Sequence, residues 1–119
     1  KIDTSRNVLN EVVNDNIRES KSDFIDQYVE YIDIRLYDIF SKERDRAIAD
    51  SINELFRKRA DLYSYNKKAL YILIRERTGV HTQYITKVVG VMKRLYAELY
   101  MEYNKEGYLP MDYKLKDYG

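Results

Sequence analysis

Basic and small polar side chains gather around Gly79, in the second half of the chain. Residues 66–97 contain seven basic residues against one acidic residue, a net charge of +6, although the whole chain of 119 residues carries only +1. Such cationic density suits phosphate groups, because each neutralised phosphate releases condensed counterions. Threonine and glutamine side chains suit the edges of bases. The pattern therefore favours contact with nucleic acid, the alternative being a solvated helical surface that lacks acids.

Ten residues of this block are candidates for contact with duplex DNA. Six cations are suited to phosphates: Lys67, Lys68, Arg75, Lys87, Lys93 and Arg94. Three polar residues are suited to base edges: Thr82, Gln83 and Thr86. The tenth is His81, the only histidine, which we expect either to contact a phosphate or to be an exposed residue at a helix start.

The remaining sequence offers little for catalysis. The chain has no cysteine, which excludes disulfides, thiolate metal sites and cysteine nucleophiles. A single histidine cannot form a histidine metal cage, and the sequence contains neither a serine–histidine–acid set nor a glycine-rich phosphate loop. We therefore expect no enzyme activity, no metal and no cofactor.

Carboxylates at helical spacing are the one catalytic alternative. Six acids recur at spacings of three and four on two predicted helices: Asp23, Asp26, Glu30 and Asp33 on one, and Asp50 and Glu54 on the other. If the two acidic faces met, they could hold Mg²⁺, as in all-helical nucleotide pyrophosphatases. The alternative is a solvated acidic face relieved by Arg35 and Arg46. We favour the solvated face, because the apolar stripes point elsewhere.

Apolar residues recur at spacings of three and four almost throughout the chain, which predicts helices. A first helix is expected over residues 8–17 and a second over residues 24–39. A third is expected to start after Ser41, with that residue as its cap, and to run to about residue 63.

The last two predicted helices flank the glycine. Asn66 is expected to cap a short fourth helix. The fifth is expected from His81 to Lys105, roughly 37 Å at 1.5 Å per residue, and to end at Gly107. The tail MDYKLKDYG alternates weakly between polar and apolar residues and is predicted to be a short strand or a linker.

These elements predict an all-α fold: a compact bundle of about five helices with a long C-terminal helix and a short non-helical tail. We place one helical domain at residues 1–107 and a tail or linker at residues 108–119. Because the sequence has no cysteine and no long apolar run, we expect an intracellular, cytoplasmic protein without a membrane span. Wide apolar stripes on the second and fifth helices favour packing against a partner, either a second copy or another protein.

Residues 72–90 resemble the helix-turn-helix motif of DNA-binding domains of the bacterial repressor type. Those motifs place a glycine and then an apolar residue in the turn, and Gly79 and Val80 match. They bury β-branched residues six and nine positions after the glycine, and Ile85 and Val88 match. The resemblance implies a left-handed glycine at the turn and a second helix whose polar side faces DNA. The alternative is a plain corner between two core helices.

Two positions depart from that motif. Four residues before the glycine the motif has a small residue, where the helices cross closely, whereas this chain has Arg75. Directly before the glycine the motif has an apolar residue, whereas this chain has Thr78. An arginine at a close crossing must extend outward or force the helices apart.

The first two-thirds of the chain is similar to the helical domain of GINS subunits, non-catalytic replication-fork proteins that accompany the helicase. The stretch RESKSDFIDQYVEYI is similar to the start of that family's aromatic-rich second helix, and LFRKRADLYSYNKKAL to its basic helix. The matching residues are Asp23, Phe24, Tyr28, Tyr31 and Ile32, and then Arg57, Arg59, Lys67 and Lys68. Ile25 replaces the second aromatic residue of the family, the leucine-proline lead-in is missing, and the small β domain is absent unless the tail is its edge.

The sequence thus favours a non-enzymatic DNA-binding module that acts in DNA replication or transcription control through residues 66–97. The GINS resemblance implies the alternative, a helical scaffold that mediates protein–protein contacts at the replication fork and has no chemistry of its own.

Overall fold

The computed structural model describes the backbone of residues 19–62 and 64–116, with side chains from Ser22 onward. This part of the chain contains five α helices and no strand: α1 Glu19–Ile34, α2 Leu36–Ile39, α3 Glu43–Arg57, α4 Lys67–Thr78 and α5 Thr82–Glu106. A 3₁₀ turn, Arg59–Asp61, follows α3. The Cα radius of gyration is 13.7 Å. The predicted all-α bundle with a long last helix is confirmed, and the helix expected over residues 8–17 lies outside the described residues.

Aromatic rings from three helices form the centre of the core. Phe24 of α1 lies 5.1 Å from the Tyr96 ring and 5.0 Å from the Tyr100 ring of α5, measured between centroids. The fully buried Tyr28 packs edge-on against Phe56 of α3 at 5.7 Å. Its hydroxyl donates to the Met92 carbonyl at 3.0 Å, which satisfies its one polar group. Tyrosine thus serves as a large core residue in this chain.

The second predicted helix is interrupted, and the third ends earlier than its apolar pattern predicts. The helix predicted over residues 24–39 is interrupted at Arg35, whose guanidinium lies 3.9 Å over the Tyr31 ring and donates to the Met111 carbonyl of the tail. The helix predicted to reach residue 63 ends at Arg57. After it, Arg59 turns inward and donates to the Phe56 carbonyl at 2.8 Å. These contacts of Arg35 and Arg59 interrupt or end the helices although the apolar spacing continues.

The cap predicted for the third helix is also wrong. Lys42, not Ser41, occupies the N-cap position of α3, and it makes no capping hydrogen bond through its side chain. Arg46 stabilises the segment before this helix instead, because its guanidinium donates to the carbonyls of Phe40 at 3.0 Å and Ser41 at 2.9 Å. The predicted cap of α4 is confirmed, since the Asn66 side chain accepts from the Ala69 N–H at 2.8 Å.

The non-helical tail packs against α1 and α5. Gly107 ends α5 with a φ of +84°, as predicted, and the backbone then runs through Leu109 and Leu115, which are both buried. The Leu109 N–H donates to the Gln27 side chain at 2.7 Å. Glu98 of α5 accepts from the Tyr113 hydroxyl at 2.7 Å and the Lys116 N–H at 3.0 Å. Residues 108–116 therefore contribute to the core, and they form no strand.

Two glycines lead to opposite predictions for the same substitution. Gly79→Ala should lower the free energy of unfolding by about 1–2 kcal/mol, because its φ of +69° brings a Cβ against the following carbonyl. Gly90→Ala, inside α5, should raise it by about 0.5–1 kcal/mol, since alanine favours the helix. Apart from the glycine itself, its two chain neighbours and the nearby backbone of its own helix, a Cβ added at either position meets no atom within 4 Å, so tertiary packing opposes neither change. Urea denaturation followed by circular dichroism measures the free energy of unfolding of both variants. Changes of the same sign would contradict a left-handed Gly79 and a helical Gly90.

Among the helices of the described residues, none combines the length and apolar character that crossing a membrane requires.

Candidate nucleic-acid interface

A three-residue turn joins α4 to α5. The Gly79 N–H donates to the Arg75 carbonyl at 2.7 Å and closes α4 in the left-handed conformation expected from the sequence. The Thr78 hydroxyl donates to the Ile74 carbonyl at 2.8 Å and accepts from the Val80 N–H at 3.2 Å. Helix-turn-helix motifs carry an apolar residue at this position. A threonine is accommodated here because its hydroxyl is hydrogen-bonded to the backbone on both sides of the glycine.

The two β-branched residues predicted to pack behind this turn are buried. Ile85 and Val88 are fully buried and anchor α5 in the core, and Val80 is half-buried. Arg75, the larger departure from the motif, is exposed and lines the surface between α4 and α5. It therefore extends outward, the first of the two outcomes that its size allowed.

Five of the ten predicted contact residues line a single groove between α4 and α5. Lys67, Lys68 and Arg75 contribute from α4, and Thr82 and Thr86 contribute from α5. The groove has a volume of about 510 Å³ and is completed by Tyr71 and Ile72. We call it the α4–α5 groove. It presents three cations to the first two turns of α5, so a phosphate bound there would meet both the cations and the hydroxyls.

Tyr71 forms the apolar floor of the α4–α5 groove. Its ring lies 5.6 Å from the Lys67 ammonium, measured to the ring centroid, a weak cation–π contact. Burial raises the pKa of the Tyr71 hydroxyl, and its interaction with the Thr86 hydroxyl opposes that rise. Lys67 is half-buried, whereas the other nine predicted contact residues are exposed.

The polar face of α5 continues from the groove along the helix. Its first two turns expose His81 at the N-cap position, then Thr82, Gln83 and Thr86, and the histidine makes no capping hydrogen bond through its side chain. Lys93 and Arg94 are exposed two turns later. They follow Thr86 and Lys87 by seven residues, so they share the same side of the helix about 10.5 Å further along. The predicted residues of α5 therefore lie on one side of that helix.

Lys87 differs from the other cations of this surface. Its ammonium lies 3.3 Å from Oδ2 of Asp45, a carboxylate in the first turn of α3 whose side chain is only 7 % exposed. Arg44 Nε lies 3.3 Å from the other oxygen of Asp45, and the Arg44 guanidinium stacks 3.8 Å over the Tyr84 ring of α5. Sequence reasoning missed Asp45, because it lies 42 positions before Lys87 and no local pattern links them.

Three of the six acids considered for a magnesium site pair with arginines. Asp33 of α1 and Glu54 of α3 are brought close, but Arg57 pairs with both of them, and Arg59 pairs with Asp26 at 2.8 Å. Within residues 19–62 and 64–116, no group of three or more acidic or histidine side chains is arranged to hold a metal ion.

The arginines expected to relieve the acidic face have other partners. Arg35 donates to the Met111 carbonyl, and Arg46 donates to the carbonyls of Phe40 and Ser41. Asp26, Asp33 and Glu54 are paired instead with Arg57 and Arg59, two of the residues on which the similarity to GINS subunits rests.

Comparison of this chain with protein-family models, with curated proteins and with solved structures finds no match.

Proposed function

We propose that this chain is a non-enzymatic module that binds duplex DNA through α4, the Gly79 turn and the polar face of α5, in DNA replication or transcription control. The observation that carries the proposal is the α4–α5 groove, where Lys67, Lys68 and Arg75 face the threonines that begin α5. Cations and hydroxyls in one groove suit a phosphate, which takes charge-assisted hydrogen bonds from both.

Three cations of this surface have no acidic partner among the described residues. Ion pairs elsewhere in the described part of the chain engage Arg44, Arg57, Lys58 and Arg59 with neighbouring acids. Lys68, Arg75 and Lys93 enter none of the ion pairs among those residues, and Glu76 is the only acid in residues 66–97. Exposed cations without acidic partners attract a polyanion at low salt.

The exposed first turns of α5 support readout of bases. An α helix fits the major groove of B-DNA, which is about 12 Å wide, and helix-turn-helix proteins place the start of their second helix there. Gln83 and Thr86 lie on that part of α5 with exposed side chains. With phosphates held in the α4–α5 groove, we expect Gln83, which lies outside the groove, to reach base edges, with Thr86 at the border between phosphate and base.

Fluorescence anisotropy with a labelled duplex at 50 and 200 mM salt tests the proposal. Counting one phosphate each for Lys67, Lys68, Arg75 and Lys93, log affinity should fall with log salt with a slope of about −3.6. That slope corresponds to a loss of roughly 150-fold in affinity between the two salt concentrations. Absence of binding at 50 mM salt would refute the proposal and leave the helical scaffold as the alternative to pursue.

A further inference from the structure

A buried carboxylate borders the DNA-facing surface. Asp45 accepts from Lys87 Nζ at 3.3 Å and from Arg44 Nε at the same distance, and its side chain is 7 % exposed. Lys87 is 55 % exposed and follows Gln83 by four residues, so it lies on the polar face of α5. Asp45 thus holds one cation of the proposed DNA surface from inside the protein.

We propose that Asp45 lowers the sequence-independent affinity for DNA by competing with phosphate for Lys87. The inference rests on the proposed function. A lysine that is already neutralised by a carboxylate adds no charge for a phosphate and releases no further counterion. A phosphate must therefore displace Lys87 from Asp45 before it gains that contact, whereas Lys68 and Arg75 need no such displacement.

The second partner of Asp45 makes this exchange feasible. Arg44 stays within 3.3 Å of the carboxylate and is itself held by stacking on Tyr84, so Asp45 keeps a cation when Lys87 leaves. A carboxylate left alone in this buried position would be costly. Non-specific DNA binding is almost entirely electrostatic, so a restrained lysine weakens it.

A double-mutant cycle on a duplex of arbitrary sequence tests the inference. Asp45→Asn should raise the affinity at 50 mM salt several-fold and steepen the salt slope from about −3.6 to about −4.5, because Lys87 gains one phosphate. Lys87→Ala alone should leave both values nearly unchanged. Adding Lys87→Ala to Asp45→Asn should restore the slope of the unmodified protein. Asp50→Asn, an exposed acid on the same helix, is the matched control for the change in net charge.

Three other results would contradict the proposed competition between Asp45 and phosphate for Lys87. If Lys87→Ala weakens binding of the unmodified protein as strongly as Lys68→Ala does, Lys87 already contacts phosphate. If Asp50→Asn matches Asp45→Asn, or if the gain survives removal of Lys87, net charge explains the effect. Thermal melts verify folding, and Asp45→Ala replaces Asp45→Asn if the latter unfolds. Lack of binding by the unmodified protein overturns both proposals, whereas normal binding with an unchanged Asp45→Asn overturns this one alone.

Discussion

Replacing Lys68 and Arg75 together with glutamate should lower the affinity for duplex DNA at 50 mM salt by at least ~100-fold. Both side chains line the α4–α5 groove, are exposed and lie seven residues apart on one side of α4. Losing a charge-assisted contact costs about tenfold, and two acids add repulsion to the two lost contacts. Anisotropy titrations at several salt concentrations should also show a shallower dependence of log affinity on log salt, with the slope changing from about −3.6 to about −1.8.

Lys105→Glu with Lys114→Glu is the matched control for this charge reversal. Both lysines are exposed, and the pair changes the net charge by the same amount away from the α4–α5 groove. Surface substitutions of this kind change stability by about 0.5 kcal/mol or less, so neither double variant should unfold. Equal losses of affinity in the two variants would show that binding reflects net charge alone, and the groove would then have no special role.

The folded protein should lose stability steeply as the pH rises above about 10. The pKa of each of five tyrosine hydroxyls is raised: Tyr28, Tyr31, Tyr71, Tyr103 and Tyr113. Since the folded state holds these protons more tightly than the unfolded state, their contribution is complete below the ordinary pKa of 10.0. It is lost as the pH rises from there through the folded-state pKa values, because ionisation then favours the unfolded chain.

Different causes hold these tyrosines neutral. Burial dominates for Tyr28, whose ring is fully enclosed by the core. Burial also leads for Tyr113, followed by its hydrogen bond to the Glu98 carboxylate, whereas for Tyr103 the hydrogen bond to Asp23 is the largest cause. A hydroxyl that donates to a carboxylate cannot ionise without placing two negative charges side by side.

Urea denaturation at a series of alkaline pH values measures this loss. Tyr28→Phe should reduce the slope of the unfolding free energy against pH by about 1.4 kcal/mol per pH unit, the effect of one proton. Tyr108→Phe, which removes a hydroxyl from a 55 % exposed ring, is the control. Stability that stays constant between pH 10 and 12 would contradict the raised pKa values of these tyrosines in the folded state.

The sequence predicts those features of the fold that depend on neighbouring residues. The cap at Asn66 and the helix ends at Gly79 and Gly107 follow from local backbone preferences, and all three are observed. The early end of the third helix does not follow, because Arg59 bonds to Asp26 and Ser22, which are 33 and 37 positions away. Its apolar pattern continues to Leu62, which is buried although the helix has ended.

The same distinction applies to the candidate site. Residues of α4 and the start of α5 are close in sequence, so a glycine turn between them is enough to predict that Lys68, Arg75 and Thr82 share a surface. The carboxylate that holds Lys87 comes from another helix, so it becomes visible only when α3 is packed against α5. Charge counting over a block of sequence cannot detect such a partner.

The packed tail has a practical consequence for fragments of this protein. A fragment that ends at Gly107, where the helical pattern stops, would lack Leu109 and Leu115. The apolar surfaces that these two residues cover would then be exposed to solvent. It would also remove the Met111 carbonyl that receives the Arg35 guanidinium, and leave a positive charge without its acceptor. Truncations and C-terminal fusions should therefore keep the chain through residue 116, since the last helix alone does not mark where the folded unit stops.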